Sequence, residues 1–271
     1  MSGANQTATP FTTTTPDGAT LSGYRQGTGA PVVLISGLGG TASFWQPVVS
    51  RLAGRTCITF DQRGIGRSSR GTAQVSIGRL AEDVLWLLDA LEIESATLIG
   101  HSTGGCIATE CSLLAPDRVS ALILSGTWAG PNEYMTRLFD ARLRLLQVDP
   151  ALYQGLNPYL SFPAEWLVQH PRLIPQYEPS NWDTQRVAVV EERIKALLAF
   201  NRRDALSTLA QPCLVLGAQD DLVVPNFLQQ EIVERVPGAE HEYLTDGGHF
   251  YPLSRTDAFV KRVTNWNGWE R

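Results

Sequence analysis

Short, largely apolar runs separated by helical patterns constrain this chain more than any other feature of it. Pro31-Val-Val-Leu-Ile-Ser36, Thr56-Cys-Ile-Thr-Phe-Asp61, Ala96-Thr-Leu-Ile99 and Ser120-Ala-Leu-Ile-Leu124 are too short for ordinary helices. Their near-continuous apolarity suits strands buried on both faces. Residues 44–53, 76–92 and 104–115 read as helices between them. In the second, Ile77, Leu80, Val84, Leu87, Leu88 and Leu91 recur at helical spacing, and Pro116 closes the third. Residues 19–27 add a strand ahead of the series. Alternation of this kind predicts an α/β fold, a mostly parallel twisted sheet with helices on both faces. At 271 residues and 43% apolar content the chain can build such a core and is too hydrophobic for disorder.

The alternation stops near Trp128. From there to Arg203 only helical patterns occur, broken at Pro150, Pro158, Pro163, Pro171, Pro175 and Pro179. Nine of the 23 aromatic residues fall between Trp128 and Trp182, about twice their share by length. The segment therefore either encloses something apolar or needs large side chains for a small core of its own. Strand and helix then resume at 213–216, 226–236, 241–245 and from Thr256. The predicted organisation is an α/β core of residues 1–127 and 205–271 with an all-helical cap, 128–204, inserted into it. Met1 to Thr15 reads as a Thr-rich tail without the basic start and apolar stretch of a secretory signal.

Charge and cysteine usage exclude several classes. Lys and Arg number 22 against 27 Asp and Glu, a net charge of −5, with no basic cluster to follow a nucleic-acid backbone. No apolar run approaches the ~18 residues a membrane span needs. Cys57, Cys106, Cys111 and Cys213 are scattered, and His101, His170, His241 and His249 lack ligand spacing. Reduced thiols, a cytoplasmic protein, and neither metal nor other cofactor are the expectation.

Gly100-His101-Ser102-Thr103-Gly104 stands between a strand and a helix, the context in which G-x-S-x-G presents a nucleophile. A serine hydroxyl needs a base, and the base needs an acid to orient it. Asp220 follows the strand at 213–216 and His249, flanked by Gly247-Gly248, follows the strand at 241–245. Both lie at carboxyl ends of strands, where open α/β sheets hold ligands. Ser102, Asp220 and His249 are the predicted catalytic residues, with Asp221 the competitor for the acid. His101 is expected to point away from the nucleophile. Backbone amides of Leu38, in the glycine-rich loop Ser36-Gly-Leu-Gly-Gly40, and of Thr103 are the predicted oxyanion donors. The same loop fits a rival pattern, G-x-G-x-x-A ending at Ala42 with Asp61 closing the next strand, as in dinucleotide sites. That alternative leaves Ser102, His249 and the late acid without a role.

These motifs resemble the α/β-hydrolase superfamily over nearly everything after the tail. Val32-Val-Leu-Ile-Ser-Gly-Leu-Gly-Gly40 is similar to its oxyanion strand and loop, and Asp61-Gln-Arg-Gly-Ile-Gly66 with Ser68 to the turn after the next strand. Phe139, Arg142, Arg144-Leu-Leu146, Phe162-Pro-Ala-Glu-Trp166 and Asp220-Asp-Leu-Val-Val-Pro225 resemble the carbamate or aminoacrylate hydrolases of bacterial pyrimidine utilisation. The 3-oxoadipate enol-lactonases are a more distant likeness. Ser36-Gly37 replaces the family's usual His-Gly, and Ser102 is kept where some of the pyrimidine group lack a serine. The resemblance implies hydrolysis of a small ester, lactone, carbamate or amide acyl substrate through an acyl-enzyme. It also leaves open whether the chain dimerises. Trp128, Arg142, Arg144, Trp166 and Phe250 are the candidate substrate contacts, an arginine gripping a substrate carboxylate. The scaffold equally hosts C–C bond hydrolases, haloperoxidases, lyases, cofactor-free oxygenases and non-catalytic small-molecule receptors.

Overall fold

The computed structural model describes residues 7–173 and 184–270. Pro175, Tyr177, Pro179 and Trp182, part of the sequence expectation for the insert, lie outside them. The frame is one sheet of eight strands: β1 (Thr9–Thr14), β2 (Thr20–Gly27), β3 (Ala30–Ile35), β4 (Arg55–Phe60), β5 (Ala96–His101), β6 (Val119–Ser125), β7 (Cys213–Ala218) and β8 (Glu240–Leu244). Their order across the sheet is β1-β2-β4-β3-β5-β6-β7-β8. From β4 to β8 all neighbours are parallel, whereas β2 pairs antiparallel with both β1 and β4. Of the Thr-rich segment expected as a tail, Thr9–Thr14 is thus a strand, registered from Thr9 opposite Arg25 to Thr14 opposite Thr20, and residues 1–6 lie outside the described residues. β-Branched threonines suit an extended edge that buries neither face deeply.

Helices α1 (Gln46–Val49), α2 (Ile77–Ala90) and α3 (Thr103–Leu114) connect the early strands. α4 (Glu133–Val148), α5 (Pro150–Ser161), α6 (Ala164–Gln169) and α7 (Thr184–Ala199) lie between β6 and β7, and α8 (Asn226–Arg235), α9 (Tyr251–Ser254) and α10 (Thr256–Asn265) complete the chain. Alternate residues of the central strands serve opposite cores. Val33 and Ile35 of β3, Leu98 of β5 and Val215 of β7 pack with side chains of α2, α3 and α8. Val32, Leu34, Ile99 and Leu216 pack with Trp45, Val48, Phe259 and Val263 on the other face. Each such fully buried aliphatic side chain contributes about 1.5–3 kcal/mol, which fixes the register of every central strand. Helix starts are set by side chains: Ser76 accepts from Arg79 N, Asn132 from Met135 N and Asp149 from Leu152 N, each worth about 1 kcal/mol.

The insert joins the first of these cores through Met135, Phe139, Leu146, Ile194 and Leu197. Its two ends are stitched together, Arg202 N donating to Ala129 O at 2.8 Å and Arg203 Nη2 to Gly130 O at 2.8 Å. After β3 the chain turns to one face and after β5 to the other, because β3 has β4 on one side and β5 on the other. A crevice opens between loops that part in this way. Among the described residues no helix is long and apolar enough to cross a membrane.

Candidate active site

Ser102 sits at that crevice with φ 56° and ψ −124°, a left-handed conformation an L-residue holds only when its surroundings impose it. Those surroundings are the two glycines of the motif. A Cβ on Gly100 would stand 2.2 Å from Gly104 O, and one on Gly104 2.1 Å from Ile35 O, so strand, elbow and α3 meet at backbone distance. A Cβ on Gly37 would lie 3.0 Å from Ser102 Cβ and 3.4 Å from its Oγ. The hydroxyl therefore rests against the loop after β3. That loop is a tight turn closed by Gly40 N to Gly37 O at 3.0 Å, with Leu38 at its second position. Thr103 is the first residue of α3, whose amide the helix leaves without an acceptor of its own.

His249 is held from behind by an acid, and that acid is Asp221. His249 Nδ1 lies 2.8 Å from Asp221 Oδ2, while Asp221 Oδ1 accepts from Val223 N and Val224 N, both at 2.8 Å. The expectation of Asp220 is corrected: its carboxylate accepts from Gly247 N at 3.2 Å and Gly248 N at 2.9 Å and braces the loop that carries His249. The cause is strand length. β7 continues through Gly217 and Ala218, paired with Tyr243 and Leu244, two residues beyond the apolar run, which carries the position of the acid on to Asp221. Gly248 has φ 66° and approaches Ser161 O so closely that a Cβ would be 2.6 Å away, and Phe250 N donates to Ser161 O at 2.8 Å. The histidine loop is thereby docked on the end of α5.

Ser102, His249, Leu38, Arg142 and Phe250 line one cavity of about 640 Å³, with Phe44, Phe139, Tyr153 and Asn157 among the other walls. The remaining candidates stand elsewhere. Trp128 is 1% exposed and belongs to the core, Arg144 is exposed on α4, and Trp166 stacks between Phe162 and His170 at 4.4 and 3.9 Å. None of the three is among the lining residues. The aromatic excess of the insert thus divides between cavity wall (Phe139, Tyr153) and packing (Trp128, Phe162, Trp166). Asp61, the acid a dinucleotide site would turn to a ribose, instead accepts from Ala42 N and Arg67 N and ties two loops together. The helix after the glycine loop, α1, is one short turn. The nucleotide alternative loses both its supports. Among the described residues no cluster of His, Cys, Asp and Glu is arranged to hold a metal ion.

His101 turns out to be more than a bystander. It is wholly buried, its ring 4.8 Å from that of His249 and stacked on Phe44 at 5.2 Å. Tyr251 Oη donates to Leu216 O at 2.9 Å, so its one proton is committed, and Ser125 must donate to Tyr251 at 2.6 Å. Donor counting then makes His101 Nδ1–H the donor to Ser125 Oγ at 3.0 Å, leaving Nε2 as a bare, buried acceptor. Burial first, and the His249 ring second, hold its pKa well below the usual histidine range. The unfolded imidazole takes up a proton near pH 6.5 and the folded one refuses it. The stability owed to neutral His101 is complete above that pH and shrinks as pH falls, by up to about 1.4 kcal/mol per unit. The melting temperature of the parent is expected to fall more steeply between pH 7 and pH 5 than that of His101→Gln; equal slopes would contradict it.

The family model of the alpha/beta hydrolase fold matches residues 30–256. A protein named as a candidate carbamate hydrolase, RutD, from Variovorax paradoxus is 36% identical over 243 residues, 88% of this chain and 91% of its own length. Another of that name from Azorhizobium caulinodans is 32% identical over 250 residues, 89% of this chain and 92% of its own. Among solved structures, a hydrolase from Pseudomonas aeruginosa superposes with a TM-score of 0.82 at 24% identity, covering 97% of this chain and 98% of that one. The enol-lactonase of Burkholderia xenovorans gives 0.79 at 23% identity, with 96% of each chain covered.

Proposed function

The chain belongs to the α/β-hydrolase fold family, and on that premise we propose that it hydrolyses a small ester, lactone, carbamate or amide through an acyl-enzyme on Ser102. The observation that carries this is the His249–Asp221 pair at 2.8 Å, opening onto the cavity that Ser102 lines from its strained elbow. His249 takes the proton of Ser102 as Oγ attacks the acyl carbon, and returns it to the departing alcohol or amine. Water, deprotonated by the same ring, then attacks the acyl-enzyme and releases the acid and Ser102. Asp221 holds the imidazole in the tautomer with its proton on Nδ1. The amides of Leu38 and Thr103 stabilise the oxyanion, each such donor being worth about 10²–10³ in rate.

The relatives named for carbamate hydrolysis favour a C–N bond among these choices, since the likeness runs through nearly their whole length. The four buried, free cysteines accord with a reducing, cytoplasmic setting. A fluorophosphonate probe is expected to modify Ser102 in the parent and to fail in folded His249→Ala, as located by peptide mass spectrometry. Labelling that is absent, or indifferent to His249, would overturn the acyl-enzyme. Release of ammonia or amine from carbamates, set against acid release from matched esters, ranks the substrates.

A further inference from the structure

The wall of the cavity has a charge that the protein as a whole does not. The chain carries −5 overall, yet among the described lining residues there is no Asp or Glu, and two arginines, Arg142 and Arg186, are present. Arg142 projects from α4, where its guanidinium lies 4.9 Å over the Phe139 ring and 5.3 Å from that of Tyr153. Its Nη2 donates to Asn157 Oδ1 at 2.8 Å and Tyr153 Oη at 3.3 Å. Its Nε is buried and makes no hydrogen bond, and among the described residues no carboxylate pairs with it. A guanidinium stripped of water on one edge, packed between aromatic rings and left without a counter-ion, is costly unless something anionic completes it. Elsewhere buried Arg193 is met by two carbonyl oxygens, Gln62 Oε1 and Arg63 O, and three other buried or partly buried arginines are met by acids: Arg63 by Asp17 and Asp83, Arg202 by Glu110, Arg203 by Glu231. Arg142 lacks that partner and faces the reaction chamber.

Resting on the acyl-enzyme proposal above, we infer that the substrate carries a carboxylate and that Arg142 binds it, with Asn157 and Tyr153 setting the guanidinium plane. Phe139 and Phe250 bound the apolar part of the cavity, suited to the short carbon chain between carboxylate and scissile carbonyl. The insert then selects for charge, while sheet-edge groups perform the chemistry.

The test is protection of Ser102 from fluorophosphonate labelling by a series of short dicarboxylates, run beside the diamides of the same chain lengths. Dicarboxylates are expected to protect the parent at concentrations at least about tenfold lower than the diamides, the effect of one charge-assisted hydrogen bond. Arg142→Met is expected to abolish that difference, and Arg142→Lys to keep only part of it, because an ammonium supplies the charge without the planar fork. Equal protection by acids and amides in the parent, or no protection by either in a protein whose Ser102 labels, would overturn the carboxylate site. A Met variant that retains the difference would overturn the assignment to Arg142. The parent comparison stands even where a variant misfolds. Absence of Ser102 labelling in the folded parent is a separate result, a failure of the acyl-enzyme itself.

Discussion

Asp221→Asn is expected to lower kcat on an activated ester by about 10⁴-fold, roughly 5.5 kcal/mol of barrier, while Asp220→Asn stays within about tenfold of the parent. The two neighbours differ by what their oxygens receive. Asp221 Oδ1 accepts from Val223 N and Val224 N, so an asparagine there keeps its carbonyl oxygen toward those amides and turns its NH₂ to His249. A donor facing Nδ1 forces that nitrogen to accept, the ring proton moves to Nε2, and the lone pair that should receive the Ser102 proton is gone. Burial makes the reversal firm, since Asp221 is 4% and His249 3% exposed and bulk solvent has little access to the lost acceptor's place. Among the described residues Asp220 accepts from Gly247 N and Gly248 N. Its amide analogue keeps one acceptor and loosens the loop without inverting the imidazole. Initial rates of para-nitrophenyl ester hydrolysis decide it: a larger loss from Asp220→Asn would return the acid to that residue.

That contrast also marks how much of the molecule could be read in the sequence. Adjacent strand, elbow and helix are local: Gly100 to Gly104 sits within one turn of chain, and the glycines that let backbone meet backbone are written in the motif itself. The choice between two consecutive aspartates is not local. It depends on whether β7 ends at Leu216 or Ala218, and Gly217 and Ala218 are held in the strand by Tyr243 and Leu244 of β8, whose pairing no apolar run announces. β1 was obscured for a related reason. Its threonines alternate between exposed and partly buried without any apolar stripe, so only the register with β2 distinguishes strand from tail. In the insert the helical period gives helices but not their azimuth. Arg142 and Arg144 are two residues apart, yet one lines the cavity and the other meets solvent.

Arg193→Met is expected to reduce kcat about 10- to 100-fold with little change in KM, although Arg193 touches neither Ser102 nor His249. It is 1% exposed, on α7, and donates from Nη1 to Gln62 Oε1 and from Nη2 to Arg63 O, both at 2.6 Å. Burial pulls its pKa down to about 10, so it keeps its proton at neutral pH. By fixing Oε1, Arg193 dictates which end of the Gln62 amide is free. Nε2 therefore faces Ser36 O and donates at 2.7 Å, while Gln62 N donates to Gly40 O at 2.7 Å. Those two bonds hold both ends of the turn that presents the Leu38 amide. With a serine where the superfamily usually places a histidine, Ser36 Oγ donates to Thr41 O within the same loop, and the clamp must come from outside. Methionine fills the volume but orients nothing, leaving the Gln62 amide free to reverse and the oxyanion donor misplaced. Stability should move little. Orphaning Gln62 Oε1 and Arg63 O costs about 1–3 kcal/mol each, and removing a desolvated charge that no carboxylate among the described residues pairs returns several. Thermal melting beside steady-state kinetics separates a positioning role from a structural one: a fall in kcat at near-parent melting temperature is the expected signature, partly recovered in Arg193→Lys. A folded Met variant with kcat within twofold of the parent would show that the loop needs no brace from α7.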